Sequence, residues 1–338
     1  MSSPMLAIED LHKSFPAERS LGARLRREPA RTVTAVDGVS IEVSRGQVLG
    51  IVGESGCGKT TLARCVLRLV EADGGSVRLD GEDLLTLPRS RLRAMRKRIQ
   101  MVFQDPYTSL NPRLTIGKAI GEAARVHRVV DRDGEKRYAI EMLELVGLSA
   151  AVHDRLPRAL SGGQRQRAAI ARALAVKPDV LIADEAVSAL DVSIQAQILN
   201  LLRRLTDELG LATLFIAHQL AVIANISDLV AVMYLGQIVE HGSTYDVFSS
   251  PQHPYTRGLL AAHPDPDPGH ERSAAGVLGD VPSPLDMPIG CRFHTRCPHA
   301  EERCQSPPPV KDLGDGHEAR CVVLPYAGDR GARPTAVG

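Results

Sequence analysis

At 338 residues the chain is long enough for one large domain with an appendage or for two ordinary domains, and its 43% hydrophobic share excludes a disordered or fibrous protein. Aromatic residues are only 3% of the chain, so Leu, Val, Ile and Ala must fill the core. With 41 basic against 40 acidic residues, the net charge of +1 provides no global field for nucleic acid or an anionic membrane, and any such contact must be local.

The longest apolar runs, such as 48–52 and 230–235, are of strand length and fall far short of the roughly 20 residues that span a bilayer. The first ten residues lack the pattern of an export leader, so the chain is expected to be soluble and cytosolic. Residues 6–8 and 39–43 read as strands on either side of an arginine-rich insert, 19–31, which reads as a solvated loop. A buried strand over 47–52 runs into a glycine-rich turn, and a helix is expected over 59–70 from the spacing of Leu62, Val66 and Leu69. A strand at 76–79, a basic stretch at 89–98 and a helical region over 117–147 follow. After Pro178 come a strand (180–183), a helix (194–209) stopped by Gly210, and strands at 213–217 and 229–234. This alternation predicts the α/β class, a largely parallel sheet covered by helices. Pro, Asp and Gly dominate 263–288, marking a linker into a small tail that holds Cys291, Cys297, Cys304 and Cys321.

Three strings carry chemistry. Gly53-Glu54-Ser55-Gly56-Cys57-Gly58-Lys59-Thr60 lies between a buried strand and a helix. Glycines there let successive N–H groups point inward, and the helix start adds partial positive charge, which together make a phosphate cradle. Lys59 would reach the β and γ phosphates, and the Thr60 hydroxyl would ligate Mg²⁺. Asp184 and Glu185 end a buried strand, where open α/β sheets bind ligands; Asp184 suits Mg²⁺, and Glu185 suits orienting or deprotonating an attacking water. In the third string, Leu160-Ser161-Gly162-Gly163-Gln164-Arg165-Gln166-Arg167, a serine and two glycines open a helix and offer a second anion site.

That third string resembles the signature sequence of ATP-binding-cassette ATPases, and the resemblance runs over about 6–250. It implies a P-loop NTPase fold of the ABC nucleotide-binding type over about 5–255, with a helical subdomain over about 88–165, a linker over 256–290 and a cysteine-bearing tail over 291–325. It also implies ATP contacts along Gly53 to Thr61 and at Ser161, Gly162, Gly163, Gln164 and Asp191, with the Ser161-Gly162-Gly163 segment closing on the ATP of a facing cassette. Gln104 resembles the glutamine that senses Mg²⁺ and the γ phosphate, and Ser188-Ala-Leu-Asp191 the loop that meets the opposite cassette. His218 resembles the switch histidine beside the γ phosphate, and Phe15 the aromatic ring that stacks on adenine. Ala186 and Val187 depart from the family's Pro and Thr; they shape the turn, so hydrolysis is expected to survive.

Two segments narrow the branch. The 105–113 string, Asp-Pro-Tyr-Thr-Ser-Leu-Asn-Pro-Arg, and Pro251-Gln-His-Pro254-Tyr255-Thr256 resemble the oligopeptide and dipeptide importer subunits, with a nickel or oligosaccharide importer as the rival reading. The implied assembly is a peripheral subunit at the cytoplasmic face of the membrane. Its implied partners are two permease subunits, a second cassette (a relative or a copy) and, indirectly, an extracytoplasmic substrate-binding protein. A soluble cassette acting on ribosomes or DNA is the alternative class; near-neutral charge and a single cassette argue against it. Some members of the branch carry a four-iron, four-sulfur cluster on such a tail, and four thiolates satisfy its ligand count. Zinc or free thiols are the other readings of these cysteines.

Overall fold

The computed structural model describes residues 3–17, 31–104, 109–188, 190–262 and 279–324. The chain divides into two compact units, Met1–Ile238 and Val239–Gly338. Expectations placed on residues 19–30 of the insert, 105–108 of the branch string, Ala189, 263–278 of the linker and residue 325 lie outside the described residues.

In the first unit, β1 (Leu6–Pro16) pairs antiparallel with β2 (Thr32–Val43). Next come β3 (Val48–Val52) and helix α1 (Lys59–Val66), then β4 (Gly74–Leu79), β5 (Glu82–Asp83), α2 (Arg89–Met95) and β6 (Ile99–Val102). The helices α3 (Ile116–Val126), α4 (Glu135–Leu145) and α5 (Gly162–Leu174) precede β7 (Val180–Asp184), α6 (Val192–Leu209), β8 (Ala212–Ala217), α7 (Leu220–Ile226) and β9 (Leu229–Tyr234). An antiparallel sheet has the order β2-β1-β4-β5, and the parallel strands run β9-β3-β8-β7-β6. Every residue of β3, β7 and β8 is buried, as central parallel strands covered on both faces require. The parallel arrangement brings the carboxyl ends of these strands to one edge, where the glycine loop follows β3 and Asp184 and Glu185 close β7, whereas the 160–167 string opens α5.

The helix expected over 59–70 stops at Val66. Arg68 adopts a left-handed φ of 48°, and its guanidinium donates to the carbonyls of Leu84 and Leu87 and pairs with Glu71. These bonds offset the local backbone cost at a residue type that gives no sequence signal for a helix stop. The helical stretch over 117–147 is two helices, α3 and α4, and the Tyr138 hydroxyl fastens α4 by donating to the Ala175 carbonyl at 3.1 Å. In α6 the residues Ile198, Leu202 and Leu205 form the buried stripe, and Gly210 ends the helix with φ 62°.

At the opposite edge of the sheet Arg98 holds Asp179 at 2.6 Å and Asp80 at 2.8 Å, while Arg45 reaches Asp179 at 2.6 Å. Burial works to raise the Asp179 carboxyl, but hydrogen bonds from Arg98 and Arg45 outweigh it and hold the group below its usual range. Asp179 also donates its backbone N–H to the Arg98 carbonyl at 2.8 Å, so the pair sets the entry of β7 beside β6. Arg98→Ala is expected to cost about 1–3 kcal/mol of stability, read as a lower denaturation midpoint with an unchanged slope.

The second unit begins within β10 (Gln237–Ser243) and contains α8 (Thr244–Ser249), α9 (Pro254–Ala261), β11 (Val310–Asp312) and β12 (Glu318–Arg320). Glu240, with no exposed side-chain surface, accepts from the backbone N–H of Gln252 (2.6 Å) and His253 (2.9 Å) and from His317 Nε2 (2.8 Å). His253 caps α9, its Nδ1 accepting from Tyr255 N at 3.1 Å, while its ring and that of Tyr255 pack on Phe293 at 5.7 and 5.5 Å. The 251–256 segment is therefore a helix cap with Pro254 in the first turn and Tyr255 fully buried.

Burial lowers the His253 pKa to about 4, and an Nδ1 that accepts a hydrogen bond must be unprotonated. The unfolded chain takes up a proton near pH 6.5 that the folded chain refuses until about pH 4, so stability present above pH 6.5 drains away as pH falls. Acidification from pH 7 to pH 5 should cost about 2 kcal/mol through this residue alone. His253→Gln should flatten that acid dependence in thermal melts, whereas an unaltered pH profile in the variant would contradict the assignment.

Candidate active site

β3 delivers the chain into the glycine loop. A Cβ on Gly53 would lie 2.0 Å from the Met233 carbonyl oxygen, and one on Gly58 (φ 111°) 2.0 Å from the Ala35 carbonyl oxygen, so neither position admits a side chain. Gly58 caps α1 without a side-chain hydrogen bond, which keeps the first N–H groups of the helix for an anion. Lys59 is buried (5% exposed) and its Nζ donates to the carbonyls of Gly53 (2.8 Å) and Glu54 (3.0 Å), with Cys57 Sγ 3.6 Å away. The ammonium thus lies inside the concave loop. Burial pushes the Cys57 thiol up, against the pull of Lys59, which keeps it an uncharged filler of the turn.

The Thr60 hydroxyl donates to Asp184 Oδ1 at 3.2 Å, across 124 residues of sequence. Asp184 is 4% exposed, and burial raises its carboxyl, opposed by the Thr60 hydrogen bond. A buried carboxylate in this condition gains from a counter-cation, and a hydroxyl with a carboxylate oxygen is the hard donor pair that Mg²⁺ takes.

Glu185 has a left-handed φ of 45°, which turns the chain sharply after the strand. Its backbone N–H donates to the Ile216 carbonyl at 2.9 Å, its carbonyl accepts from Ser188 N–H and Oγ, and its Oε2 accepts from Gln104 Nε2 at 2.6 Å. Ala186 and Val187 are buried, and the Val187 carbonyl accepts from Gln195, so these two residues fasten the turn. Glu185, Ser188, Ala217 and His218 line one small cleft. Gln104, Glu185 and His218 therefore converge from the ends of β6, β7 and β8.

Ser161 and Gln164 form a reciprocal capping box at α5: Gln164 N–H donates to Ser161 Oγ (3.3 Å), and Ser161 N–H donates to Gln164 Oε1 (3.1 Å). A Cβ on Gly163 would meet Ile194 Cγ2 at 2.7 Å, so this glycine lets α5 approach α6 closely. Among the described residues, Ser161, Gly162, Gly163 and Gln164 share no hydrogen bond with the glycine loop. Asp191 is the exposed N-cap residue of α6, without a side-chain cap bond. Phe15, 36% exposed, lies in β1 with the Lys13 ammonium 5.2 Å from its ring centroid. Lys13 and its partner Asp73 escape the sequence reading because they stand 60 residues apart with no shared string.

The expected four-thiolate cluster is not supported. Cys291, Cys304 and Cys321 are buried and Cys297 partly so, none of the six cysteines forms a disulfide, and among the described residues no three His, Cys, Asp or Glu side chains are arranged to hold a metal ion. Cys321 instead packs in a small apolar cluster with Ala319 and Leu324, and Cys291 donates its N–H to the Cys304 carbonyl at 2.8 Å. Desolvation raises the Cys291 thiol and pushes Cys297 to about 11. No described helix is long and apolar enough to cross a membrane.

Comparison with known proteins gives the same reading as the geometry. Residues 36–188 match the ABC transporter family, and residues 239–304 match the oligopeptide/dipeptide transporter C-terminal region. A probable peptide ABC transporter ATP-binding protein of Sinorhizobium fredii is 48% identical over 338 residues, covering 100% of this chain and 95% of its own. The oligopeptide transport ATP-binding protein OppF of Escherichia coli is 47% identical over 323 residues, covering 95% of this chain and 96% of its own. Among solved structures, the ATP-binding cassette MJ0796, a dimer in a post-hydrolysis state bound to ADP and Pi, superposes with a TM-score of 0.61 at 25% identity. That match covers 71% of this chain and 99% of the cassette. The cbiO1 protein of Clostridium perfringens, part of the ABC transporter complex cbiONQ, gives 0.63 at 26% identity, over 74% of this chain and 92% of its own. Near-half identity along essentially its whole length, with both family segments in place, means that the chain belongs to the ABC transporter ATP-binding proteins of the oligopeptide/dipeptide group.

Proposed function

We propose that this chain hydrolyses ATP to energise a peptide importer, docked at the cytoplasmic face of the membrane on two permease subunits and paired with a second cassette. A substrate-binding protein outside the membrane would supply the cargo. The observation that carries the proposal is the convergence of Lys59, Thr60, Asp184, Glu185 and Gln104 at one sheet edge. The peptide assignment is supported by the C-terminal segment and by relatives such as OppF.

In this reading the glycine loop, Ser55, Thr61 and the start of α1 bind the triphosphate, and Phe15 carries the adenine. Thr60 and Asp184 would hold Mg²⁺, which supplies charge neutralisation on the β and γ phosphates. Glu185 accepts the proton of the attacking water, and Gln104 fixes the carboxylate that takes it. His218 stands at the same cleft, beside the γ phosphate position. Ser161, Gly162, Gly163, Gln164 and Asp191 point their chemistry at the nucleotide of the second cassette, and closure of that sandwich drives the permeases.

Purification of the chain from its native membrane tests the assembly. Two polytopic subunits and a second cassette should accompany it. Recovery with ribosomes or DNA and absence from membranes would overturn the proposal.

A further inference from the structure

Two side chains outside the catalytic groups converge on the residue that carries adenine in the reading above. Asp73 stands just before β4, and its carboxylate grips β1 with both oxygens. Oδ1 accepts from Lys13 Nζ at 2.7 Å, and Oδ2 accepts from the Ser14 backbone N–H at 2.6 Å. The Asp73 N–H in turn donates to the His12 carbonyl at 2.8 Å. A single aspartate therefore holds three consecutive residues, 12–14, and Phe15 is the next.

The grip falls where regular pairing fails. The register of β1 against β2 shifts between Leu11 and Lys13 and again between Lys13 and Ser14, and the register against β4 shifts between Glu9 and His12. Such irregularities leave backbone groups unpaired and re-aim the following side chain. Asp73 supplies the missing acceptor for Ser14 N–H. It also fixes Lys13, whose side chain is only 14% exposed and whose ammonium lies 5.2 Å from the Phe15 ring centroid. A cation at that distance attracts the ring's negative face and restrains the ring. Phe15 itself stays 36% exposed, which leaves surface for a stacking partner.

We propose that Lys13 and Asp73 are positioning residues that hold the Phe15 ring as a preset platform for the nucleotide base. The inference rests on Phe15 being that platform. Pre-setting the ring removes an ordering cost from base binding while leaving phosphate binding alone. Lys13 and Asp73 therefore act on the advantage of ATP over a triphosphate that has no base.

The experiment measures equilibrium binding of ATP and of inorganic tripolyphosphate to the full-length chain. Asp73→Asn and Lys13→Met should each weaken ATP about 3–10-fold, the scale of one aromatic or cation–π contact, and leave tripolyphosphate within twofold. Lys13→Arg should restore most of the ATP affinity, because it keeps the cation. Phe15→Ala should weaken ATP by about tenfold and leave tripolyphosphate unmoved. If Phe15→Ala shows that loss while Asp73→Asn and Lys13→Met bind ATP normally, the positioning role is overturned and the platform stands. If Phe15→Ala binds ATP as tightly as the unaltered chain, the platform reading falls and the inference with it. Equal weakening of both ligands in Asp73→Asn and Lys13→Met would place their effect in the fold and also overturn the inference.

Discussion

Replacing Glu185 by Gln is expected to lower ATP turnover about 10²–10⁴-fold while nucleotide binding persists. The substitution is close to isosteric, and the new amide oxygen can still accept from Gln104 Nε2, now at 2.6 Å from Oε2. The turn is set by backbone bonds to Ile216 and Ser188 that do not involve the side chain. What disappears is a carboxylate able to take the proton of water. Because ATP then binds without being consumed, paired cassettes should accumulate in the closed, ATP-loaded form, visible as an ATP-dependent shift from monomer to dimer in size-exclusion chromatography. Turnover at the unaltered rate in Glu185→Gln would remove Glu185 from its role as base.

Lys59→Ala acts one step earlier, on binding. The Lys59 ammonium is the buried cation of the loop, held by the Gly53 and Glu54 carbonyls at 2.8 and 3.0 Å. Those carbonyls define where the charge sits, and the phosphates of a nucleotide would meet it there. A charge-assisted bond in such a site contributes up to about 3 kcal/mol, which is roughly 10²-fold in affinity. ATP affinity should fall by that factor in equilibrium binding, and turnover at ordinary ATP should fall with it. The glycines that shape the loop are limited by the Met233 and Ala35 carbonyls and not by Lys59, so the variant should keep its fold, with its unfolding free energy lowered by no more than about 1–2 kcal/mol. Normal ATP affinity in the folded variant would detach Lys59 from the phosphate.

The two predictions separate because the site is built from parts whose visibility in the sequence differs. The glycine loop is contiguous, and its flanking strand and helix are strong periodic signals, so Lys59 and Thr60 could be read directly. Asp184 and Glu185 end a five-residue buried strand, which places them at the ligand edge before any contact is known. The left-handed backbone of Glu185 was invisible, since a non-glycine residue gives no local sign of it. The same holds for Arg68, whose positive φ ends α1 earlier than the leucine spacing implies. Asp73 and Lys13 meet only because β1 and β4 are neighbours in one sheet, a fact that pattern alone does not supply.

The tail shows the opposite failure. Four cysteines close in sequence suggested a cluster, but proximity along the chain does not set the direction of a thiol; among the described residues no three His, Cys, Asp or Glu side chains are arranged to hold a metal ion, and Cys321 packs with Ala319 and Leu324. The Pro254-Tyr255 segment reads as a family marker in the sequence, while in the structure it is a helix cap anchored by a buried carboxylate, Glu240. In that case the local residues serve the stability of the second unit, and the acid sensitivity expected of His253 is the direct way to see it.

ATP hydrolysis by this chain is expected to drive peptide entry. The most direct measurement is uptake of a radiolabelled tri- to pentapeptide by cells in which the chromosomal copy of the chain is replaced by the unaltered or the Glu185→Gln form. Accumulation with the unaltered chain and background uptake with Glu185→Gln, at equal amounts of both proteins in the membrane, is the predicted result. Equal peptide accumulation in both strains would contradict the claim.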